Sequence, residues 1–202
     1  QFIELSYFYR NAKESWKLIK EVFFDFIGAA NPNAAHYAIA KIEKHGYIKS
    51  VITQNIDNLH QEAGSTNVYE YHGTTKYMVC LNCNRKFPSS EISLESLPPK
   101  CPECAQVLKP DFVFFGEAVP TEVNRKSFDE AQKCDVMLIV GTTGQVMPAS
   151  MIPYRAKETG AEIIEVNISE SIFTKGITDI FLKGKATRIL ESLARVVLNI
   201  SK

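Results

Sequence analysis

Residues 136–140 read Val-Met-Leu-Ile-Val, an apolar run with no polar side chain on either face. A strand of this kind is typical of a parallel sheet, which is buried on both faces. Shorter β-branched or aromatic runs precede and follow it, and helical patterns lie among them. The predicted strands are 47–53, 68–71, 112–115, 136–140 and 163–167, and the predicted helices among them are 121–133, 149–159 and 187–198. Because this alternation indicates βαβ crossovers, the sequence predicts an α/β fold with a doubly wound parallel sheet.

Two more helices are predicted near the N-terminus. Between residues 12 and 28, apolar side chains recur at the spacing of one helical face: Trp16, Ile19, Phe23 and Phe26. The second helix has Asn31 as its predicted cap, Pro32 in its first turn and Gly46 as its stop. Its apolar stripe consists of Ala35, Ala38, Ile39 and Ile42. Both helices are predicted to contribute to the core.

The composition narrows the possible classes of protein. The chain has 202 residues, 45% of them hydrophobic, with 23 basic and 23 acidic side chains that give a formal net charge of zero. Enough apolar surface is available for a core, so intrinsic disorder is excluded. A neutral chain has no overall field that attracts nucleic acid, and no apolar run approaches the roughly 20 residues of a membrane span. We therefore expect a soluble, cytoplasmic protein with neither nucleic acid nor membrane among its partners.

Four of the five cysteines lie between residues 77 and 107, where the alternating pattern stops. They form two Cys-x-x-Cys hooks, Cys80 with Cys83 and Cys101 with Cys104, separated by 17 residues. This spacing is typical of a tetrahedral zinc site, and four thiolates leave no open position, which predicts a structural metal. Two disulfides or a redox pair are the alternatives, but no secretory signal precedes the hooks and neither hook opens a helix beside a strand.

The cysteine region also suggests the domain organisation. Residues 77–107 are predicted to form a small zinc-binding module, which is too short to fold around a hydrophobic core of its own. Residues 1–76 and 108–202 are predicted to form the larger domain around it. Cys134, which lies outside the module, is interpreted as a small buried hydrophobic residue.

Polar side chains follow two of the predicted strands. Thr53-Gln54-Asn55-Ile56-Asp57 comes at the end of the first, and Tyr71-His72-Gly73 comes at the end of the next. Ligands of open α/β sheets bind at the carboxyl ends of strands, and an imidazole is suited to general-base work at neutral pH. A cap and turn cluster explains the first group equally well, and a structural role is the alternative for His72. Gly73 would permit close approach of another backbone.

The order of the motifs resembles that of the sirtuins, which are NAD-dependent protein lysine deacylases. The matching stretches are Thr-Gln-Asn-Ile-Asp-x-Leu-His at 53–60, Tyr-His-Gly at 71–73, both cysteine hooks, residues 110–117 ending in Phe-Phe-Gly-Glu, Gly-Thr-Thr at 141–143 and Val-Asn at 166–167. The resemblance implies a Rossmann-like NAD-binding domain with a small zinc-ribbon insert. Its implied cofactors are NAD and zinc, and its implied partners are acylated lysine side chains of protein substrates.

The resemblance also implies catalytic roles. His72 matches the histidine that acts as general base on the nicotinamide ribose. Gln54 and Asn55 match residues that address this ribose and an ordered water, while Asp57 and the Ile56 backbone match the group that holds the nicotinamide carboxamide. The implied catalytic residues are therefore His72, Asn55 and Asp57, and all four residues from Gln54 to Asp57 are implied to contact NAD.

Two further groups of binding residues follow from the resemblance. The run at 112–117 matches the strand that binds substrate peptide, with Val113 and Phe115 lining the acyl-lysine channel beside Phe114 and Gly116; an ordinary core strand is the alternative. The implied contacts with the adenosine half of NAD are Gly141, Thr142, Thr143, Asn167, Lys185 and Ala186. Gly144 stands where the family often has an apolar residue, which predicts a looser loop.

The printed sequence begins downstream of the family's Gly-Ala-Gly-x-Ser loop, which cradles the pyrophosphate. We therefore expect the first βα unit to be missing from these residues and NAD to bind weakly to them alone. Two other functions are compatible with the motifs. One is transfer of ADP-ribose to protein, and the other is non-catalytic binding of acyl-lysine peptides.

Overall fold

The computed structural model describes residues 2–26, 28 and 30–199. Residues 1, 27, 29 and 200–202, which fall within the predicted ranges 1–76, 12–28 and 108–202, lie outside the described residues. The chain divides into two compact units. Unit 1 consists of Gln1–Asn31, Thr53–Asn58 and His72–Pro120, and unit 2 consists of Pro32–Ile52, Leu59–Tyr71 and Thr121–Lys202.

The helices are α1 Leu5–Arg10, α2 Ala12–Ile19, α3 Ala34–Lys44, α4 Leu59–Glu62, α5 Thr121–Lys133, α6 Met151–Glu158 and α7 Ala186–Val197. A π-helical segment, Lys20–Phe26, follows α2, and a short 3₁₀ turn covers Ser89–Glu91. The strands are β1 Val51–Thr53, β2 Val68–Glu70, β3 Gly73–Cys80, β4 Lys86–Pro88, β5 Leu108–Phe112, β6 Val136–Val140, β7 Glu162–Asn167 and β8 Ile180–Lys183.

Unit 2 contains the predicted parallel sheet. Strands β6, β7 and β8 lie in that order, with Val140 opposite Val166 and Asn167 opposite Lys183. Strand β1 pairs separately with β2. The core formed by α3, β7 and α7 is aliphatic, with these buried members: Ala35, Ala38, Ile39, Ile42, Val166, Leu190 and Ala194. The predicted α/β class and its parallel sheet are confirmed.

Unit 1 is built on an antiparallel sheet. Its strand order is β4-β3-β5, and the long strand β3 leads directly into the first cysteine hook. The core on this side combines aromatic and aliphatic side chains, and its fully buried members include Phe8, Trp16, Ile19, Met78, Leu108 and Phe114. The Trp16 indole Nε1 donates a hydrogen bond to the carbonyl of Leu108 at 2.8 Å, which satisfies the one polar atom of that side chain.

Several predicted elements differ from the observed ones. The strand predicted at 112–115 is wrong, because β5 is Leu108–Phe112 and the apolar residues after it continue as a non-strand segment. Lys109 and Asp111 interrupt the apolar pattern of β5, so hydrophobic periodicity does not predict this strand. Strands β3, β4 and β8 and helices α1 and α4 were not predicted.

The N-terminal helices show a second kind of difference. The helix predicted at 12–28 becomes π-helical after Ile19, and its wider i→i+5 turns rotate the apolar face. Phe26 is consequently 81% exposed instead of buried. Helix α3 is capped by Asn33 rather than Asn31, with the Asn33 side chain accepting from the backbone of Ala35 at 2.9 Å. Among the described residues, no helix combines the length and apolar character needed to cross a membrane.

Candidate active site and metal centre

The four hook cysteines of unit 1 converge on one point. In the first hook, the carbonyl of Cys80 accepts from the Asn84 N–H, and the N–H of Cys80 donates to the Arg85 carbonyl. In the second hook, the backbone of Cys101 makes the same two bonds with Ala105 and Gln106. Asn84 and Ala105 both have a φ of 58°. The two hooks therefore share one turn geometry, which directs both sulfurs of each hook inward.

The sulfur positions fit zinc. All four Sγ atoms lie within 4.8 Å of one another, with Cys80 to Cys104 at 3.4 Å and Cys83 to Cys101 at 3.7 Å. Tetrahedral Zn–S bonds of about 2.3 Å place thiolate sulfurs roughly 3.8 Å apart. Five free cysteines are present, so neither hook is a disulfide. The donor set and spacing are those of a structural zinc site.

The thiol pKa values agree with a site for a cation. Burial raises the pKa of Cys80, but backbone N–H groups of Cys83 and Asn82 outweigh it and bring the pKa to about 6. The backbone of Arg85 lowers the pKa of Cys83, yet burial and the neighbouring sulfurs together raise it to about 12. A second thiolate is thus disfavoured beside the first, and a bound dication removes that opposition.

The loop after β1 is fixed to the start of β3. The backbone N–H and the hydroxyl of Thr75 both donate to the carbonyl of Ile56, at 3.1 and 3.0 Å. Asn58, buried and with a φ of 63°, accepts from the Thr74 hydroxyl at 2.6 Å. These contacts hold the loop that carries Gln54, Asn55 and Asp57. Asn58 and the two threonines were not predicted, since their role depends on contacts 16 to 19 residues away along the chain.

His72 contacts the same loop. Its Nδ1 lies 3.2 Å from the Gln54 carbonyl, which can only accept, so Nδ1 carries the proton and Nε2 is the basic nitrogen. Burial lowers the pKa of His72, and the hydrogen bond to Gln54 partly opposes that shift. The imidazole is therefore neutral at neutral pH. Its geometry and its pKa both suit a general base.

Gly73 brings the next strand close to His72. At a φ of 77°, a Cβ atom on residue 73 would lie 2.3 Å from the Asp111 carbonyl oxygen and 2.8 Å from the Phe112 Cα. Only glycine fits between these backbones, as the sequence predicted. The backbone N–H of Val113 then donates to the His72 carbonyl at 2.8 Å. His72 is thereby tied to both the loop after β1 and the segment after β5.

The segment after β5 presents its side chains unequally. Phe115 is 66% exposed and Val113 is half-buried, whereas the Phe114 ring is 1% exposed within the aromatic core. Phe114 also uses both backbone groups internally, since its N–H donates to the Glu117 carboxylate and its carbonyl accepts from the Glu117 N–H. The Phe114 side chain is therefore too buried to make the predicted contact with substrate. Instead it packs in the core beneath the segment.

In unit 2, the predicted adenosine residues meet at the carboxyl ends of β6, β7 and β8. The Asn167 amide donates to the Thr142 carbonyl at 2.9 Å, and Gly184 donates to the Asn167 carbonyl at 2.9 Å. Gly141 donates to Val166, and Lys185 precedes α7 as its N-cap, with Ala186 the first residue of that helix. The Thr142 hydroxyl accepts from the Gly144 N–H, and the Thr143 carbonyl accepts from the Ile172 N–H. Hydroxyl, amide and backbone groups at such an edge fit a nucleotide.

The predicted loosening at Gly144 is wrong. Gly144 is buried with a φ of 75°, and a Cβ atom there would lie 2.6 Å from both Ile172 and Phe173. Apolar side chains from the loop after β7 thus occupy the space that a side chain at 144 would take. Because that packing replaces the missing side chain, the loop is held rather than loosened.

The fold and the sites define an α/β protein: unit 1 carries a four-cysteine cluster and an imidazole oriented by a backbone carbonyl, and unit 2 carries a sheet edge of the kind that binds nucleotides. A sequence model of the Sir2 family matches residues 1–148. A Pyrococcus furiosus NAD-dependent protein deacylase is 44% identical over 200 residues, which cover 96% of this chain and 79% of the relative. A Pyrobaculum aerophilum NAD-dependent protein deacetylase 1 is 41% identical over 192 residues, covering 94% and 75%.

Solved structures agree with the sequence relatives. A Sir2 protein bound to acetylated peptide superimposes with a TM-score of 0.93 at 30% identity, covering 99% of this chain and 84% of that one. A complex of a Sir2 homologue with NAD gives a TM-score of 0.92 at 36% identity, covering 98% and 77%. The chain belongs to the Sir2 family, the sirtuins.

Proposed function

We propose that this protein is an NAD-dependent protein lysine deacylase, which transfers the acyl group of a lysine side chain to ADP-ribose and releases nicotinamide. The observation that carries the proposal is the neutral, half-buried His72, oriented by the Gln54 carbonyl next to the Gln54–Asp57 loop. Membership of the Sir2 family and the activity for which its relatives are named support the same reaction. Its substrates are acylated lysine side chains of proteins.

NAD, when bound, supplies a cationic leaving group and a ribose carbon that becomes electrophilic as nicotinamide departs. The chain's residues then have three tasks. Asp57 and the Ile56 backbone hold the carboxamide, Gln54 and Asn55 bind the adjacent ribose, and His72 accepts a ribose hydroxyl proton at Nε2. Because the acyl oxygen is a weak nucleophile, alignment of the reactants is the main contribution required of the protein.

The remaining binding residues are proposed from their placement in each unit. Exposed Phe115 and half-buried Val113 in unit 1 contact the acyl-lysine, with Gly116 beside them and Phe114 supporting from the core. In unit 2, the adenosine half of NAD is bound by Gly141, Thr142, Thr143, Asn167, Lys185 and Ala186. Backbone recognition of an extended peptide demands little sequence, which suits an enzyme acting on several proteins.

Cys80, Cys83, Cys101 and Cys104 bind the zinc, which braces the fold and takes no part in the chemistry. We propose residues 77–107 as the zinc-binding module and residues 1–76 and 108–202 as the NAD-binding Rossmann-type domain. A cytoplasmic location is proposed as well, because reducing compartments keep thiols available for metal. Cell fractionation with detection of this protein would test that location.

The test of function is an assay with NAD and an acetyl-lysine peptide, comparing wild type, His72→Ala and His45→Ala. His45 is an exposed histidine at the end of α3 and serves as the matched control. We expect nicotinamide release, deacetylated peptide and acyl-ADP-ribose from wild type and His45→Ala. His72→Ala should lose about 100-fold or more in deacetylation, as is typical for removal of a general base.

Three other outcomes would each contradict the proposal. ADP-ribose bound covalently to protein would indicate a transferase instead. Peptide binding without nicotinamide release would indicate a non-catalytic binding module. A folded His72→Ala variant with near-normal deacetylation would remove His72 from the mechanism.

A further inference from the structure

Lys109 is a buried charge within the aromatic core of unit 1. The residue is only 3% exposed, and its Nζ lies 2.6 Å from the Phe112 carbonyl, 3.0 Å from the Pro110 carbonyl and 3.0 Å from Glu117 Oε2. Three acceptors match the three protons of an ammonium group. Burial lowers the pKa of Lys109, and the carboxylates of Glu117 and Asp111 only partly oppose that shift.

Specific contacts of Nζ stabilise the charged form against the cost of burial. Nζ lies 4.2 Å from the centroid of the Phe114 ring, a position in which a cation is attracted by the ring face. An isolated charge in such a place would be strongly disfavoured, but a fully hydrogen-bonded pair is tolerated. A hydrophobic side chain would pack in the same space without these requirements, so core packing alone does not explain a lysine here.

The Glu117 carboxylate connects Lys109 to the backbone of the turn. The carboxylate oxygen that faces Lys109 also accepts from the Phe114 N–H at 2.6 Å. The Glu117 N–H in turn donates to the Phe114 carbonyl at 3.0 Å. The turn from Phe114 to Glu117 is therefore closed by a backbone bond and by a side-chain bond, and the second depends on the Glu117 carboxylate held by Lys109.

This turn determines which way Phe115, within it, and Val113, just before it, face. The backbone of Phe115 pairs with the N-terminal segment, donating to the Ile3 carbonyl at 2.9 Å and accepting from Leu5 at 3.0 Å. Burial of the Phe114 ring on one side leaves Phe115 exposed on the other. A rotation of the turn would move Phe115 and Val113 without unfolding β5, because β5 ends at Phe112.

We infer that Lys109 and Glu117 form a positioning pair for the acyl-lysine peptide: they hold the turn after β5 so that Val113 and Phe115 face the substrate. The inference rests on the proposed deacylase function and adds two residues that do not touch the substrate themselves. We expect the pair to act on the peptide more than on NAD: the His72 backbone accepts from the Val113 N–H, but the Gln54–Asp57 loop has its own bonds to Thr75 at the start of β3.

The experiment compares Lys109→Met, Lys109→Arg and Glu117→Gln with the wild-type protein and a matched control. Lys76→Met is the control, since Lys76 is an exposed lysine on β3 of the same sheet. The probe is a fluorescein-labelled acetyl-lysine peptide in a polarisation titration, alongside separate KM values for peptide and NAD. Thermal melts and zinc content report on folding.

We expect Lys109→Met to weaken peptide binding by about 10- to 100-fold, the scale of a displacement of about 1 Å at a reacting group. KM for NAD should stay within about twofold, because its binding residues are not held by this pair. Lys109→Arg keeps the charge but places a larger, planar guanidinium in a buried site, so it should lose less affinity than Lys109→Met without matching the wild type. Glu117→Gln keeps an acceptor for Phe114 but loses the ion pair, so an intermediate loss of peptide binding is expected.

Normal peptide binding by a folded Lys109→Met protein would overturn the inference, as would equal weakening of peptide and NAD. If Lys109→Met does not fold, Glu117→Gln decides: unchanged peptide binding there would overturn the positioning role. Wild-type protein that neither binds nor deacylates the peptide would overturn the proposed function together with this inference. Wild-type deacylation with unaffected variants would overturn this inference alone.

Discussion

The two units are stabilised in different ways. Unit 2 has a parallel sheet with an aliphatic core between regular elements, and its strand β6 coincides with the most apolar run of the sequence. Unit 1 has short strands, aromatic side chains, loops closed by polar contacts and a four-thiolate cluster. Burial of the apolar faces of regular helices and strands therefore stabilises unit 2, whereas individual polar contacts and the thiolate cluster stabilise unit 1. Unit 1 should consequently be the more sensitive to single changes.

Loss of the metal is expected to have the largest effect, and that effect should differ between the two units. Structural zinc contributes about 10 kcal/mol or more of apparent binding free energy in small zinc-dependent domains, so Cys101→Ser should unfold unit 1. Trp16 is the single tryptophan of the chain and lies buried in unit 1, so its fluorescence reports on that unit. We expect red-shifted Trp16 emission with retained hydrogen-exchange protection of β6 and β7.

Cys134→Ser in unit 2 is the control for the metal prediction and should leave both the zinc content and the emission unchanged. Native Trp16 emission in a Cys101→Ser protein that contains no zinc would contradict the assigned role of the metal. Loss of protection in both units at once would contradict their separate stabilisation.

The second prediction compares a glycine in each unit. Gly73→Ala places a Cβ atom against the backbone of Asp111, which cannot move without displacing β5, whereas Gly144→Ala meets the side chains of Ile172 and Phe173. Both also take up a positive φ, which costs about 1–3 kcal/mol for a residue other than glycine. We expect Gly73→Ala to lower the free energy of unfolding by about 3 kcal/mol and Gly144→Ala by less.

Urea unfolding followed by circular dichroism would measure both glycine variants. A larger loss for Gly144→Ala would mean that the close approach at Gly73 can relax. That result would reverse the order of sensitivity assigned to the two units.

The smallest expected effect concerns the pH dependence of activity. Because burial lowers the pKa of His72, the native protein binds fewer protons than the unfolded chain below the ordinary histidine pKa of about 6.5. The contribution of His72 to stability is therefore complete above that pH and is lost as the pH falls below it. The acidic limb of kcat/KM should likewise have an apparent pKa below about 6.5.

A pH profile of kcat/KM between pH 5 and 9 checks this expectation. A folded His72→Ala protein should lose the limb along with most of its activity. An acidic limb well above the ordinary histidine pKa would show that the imidazole is not buried in the working enzyme. It would also weaken the comparison between unit 1, which individual contacts stabilise, and unit 2, which core packing stabilises.

The sequence by itself determined the regular parts of the molecule. Strand β6 and helix α5 have the predicted bounds, because hydrophobic periodicity records which face of an element is buried. The cysteine hooks were equally readable, since each spans four residues and its geometry is local. The order of the motifs was enough to place the chain among the sirtuins, and from that resemblance came the residues expected to bind NAD and acyl-lysine.

Only the tertiary structure decided how those residues are held. Strand β5 was missed because Lys109 and Asp111 interrupt its apolar pattern, and the lysine makes sense only beside Glu117. The proton on His72 Nδ1 follows from a carbonyl 18 residues earlier, and Asn58 acts through hydroxyls 16 and 17 residues later. Contacts of this kind depend on how loops meet in space, and no periodicity along the chain records them.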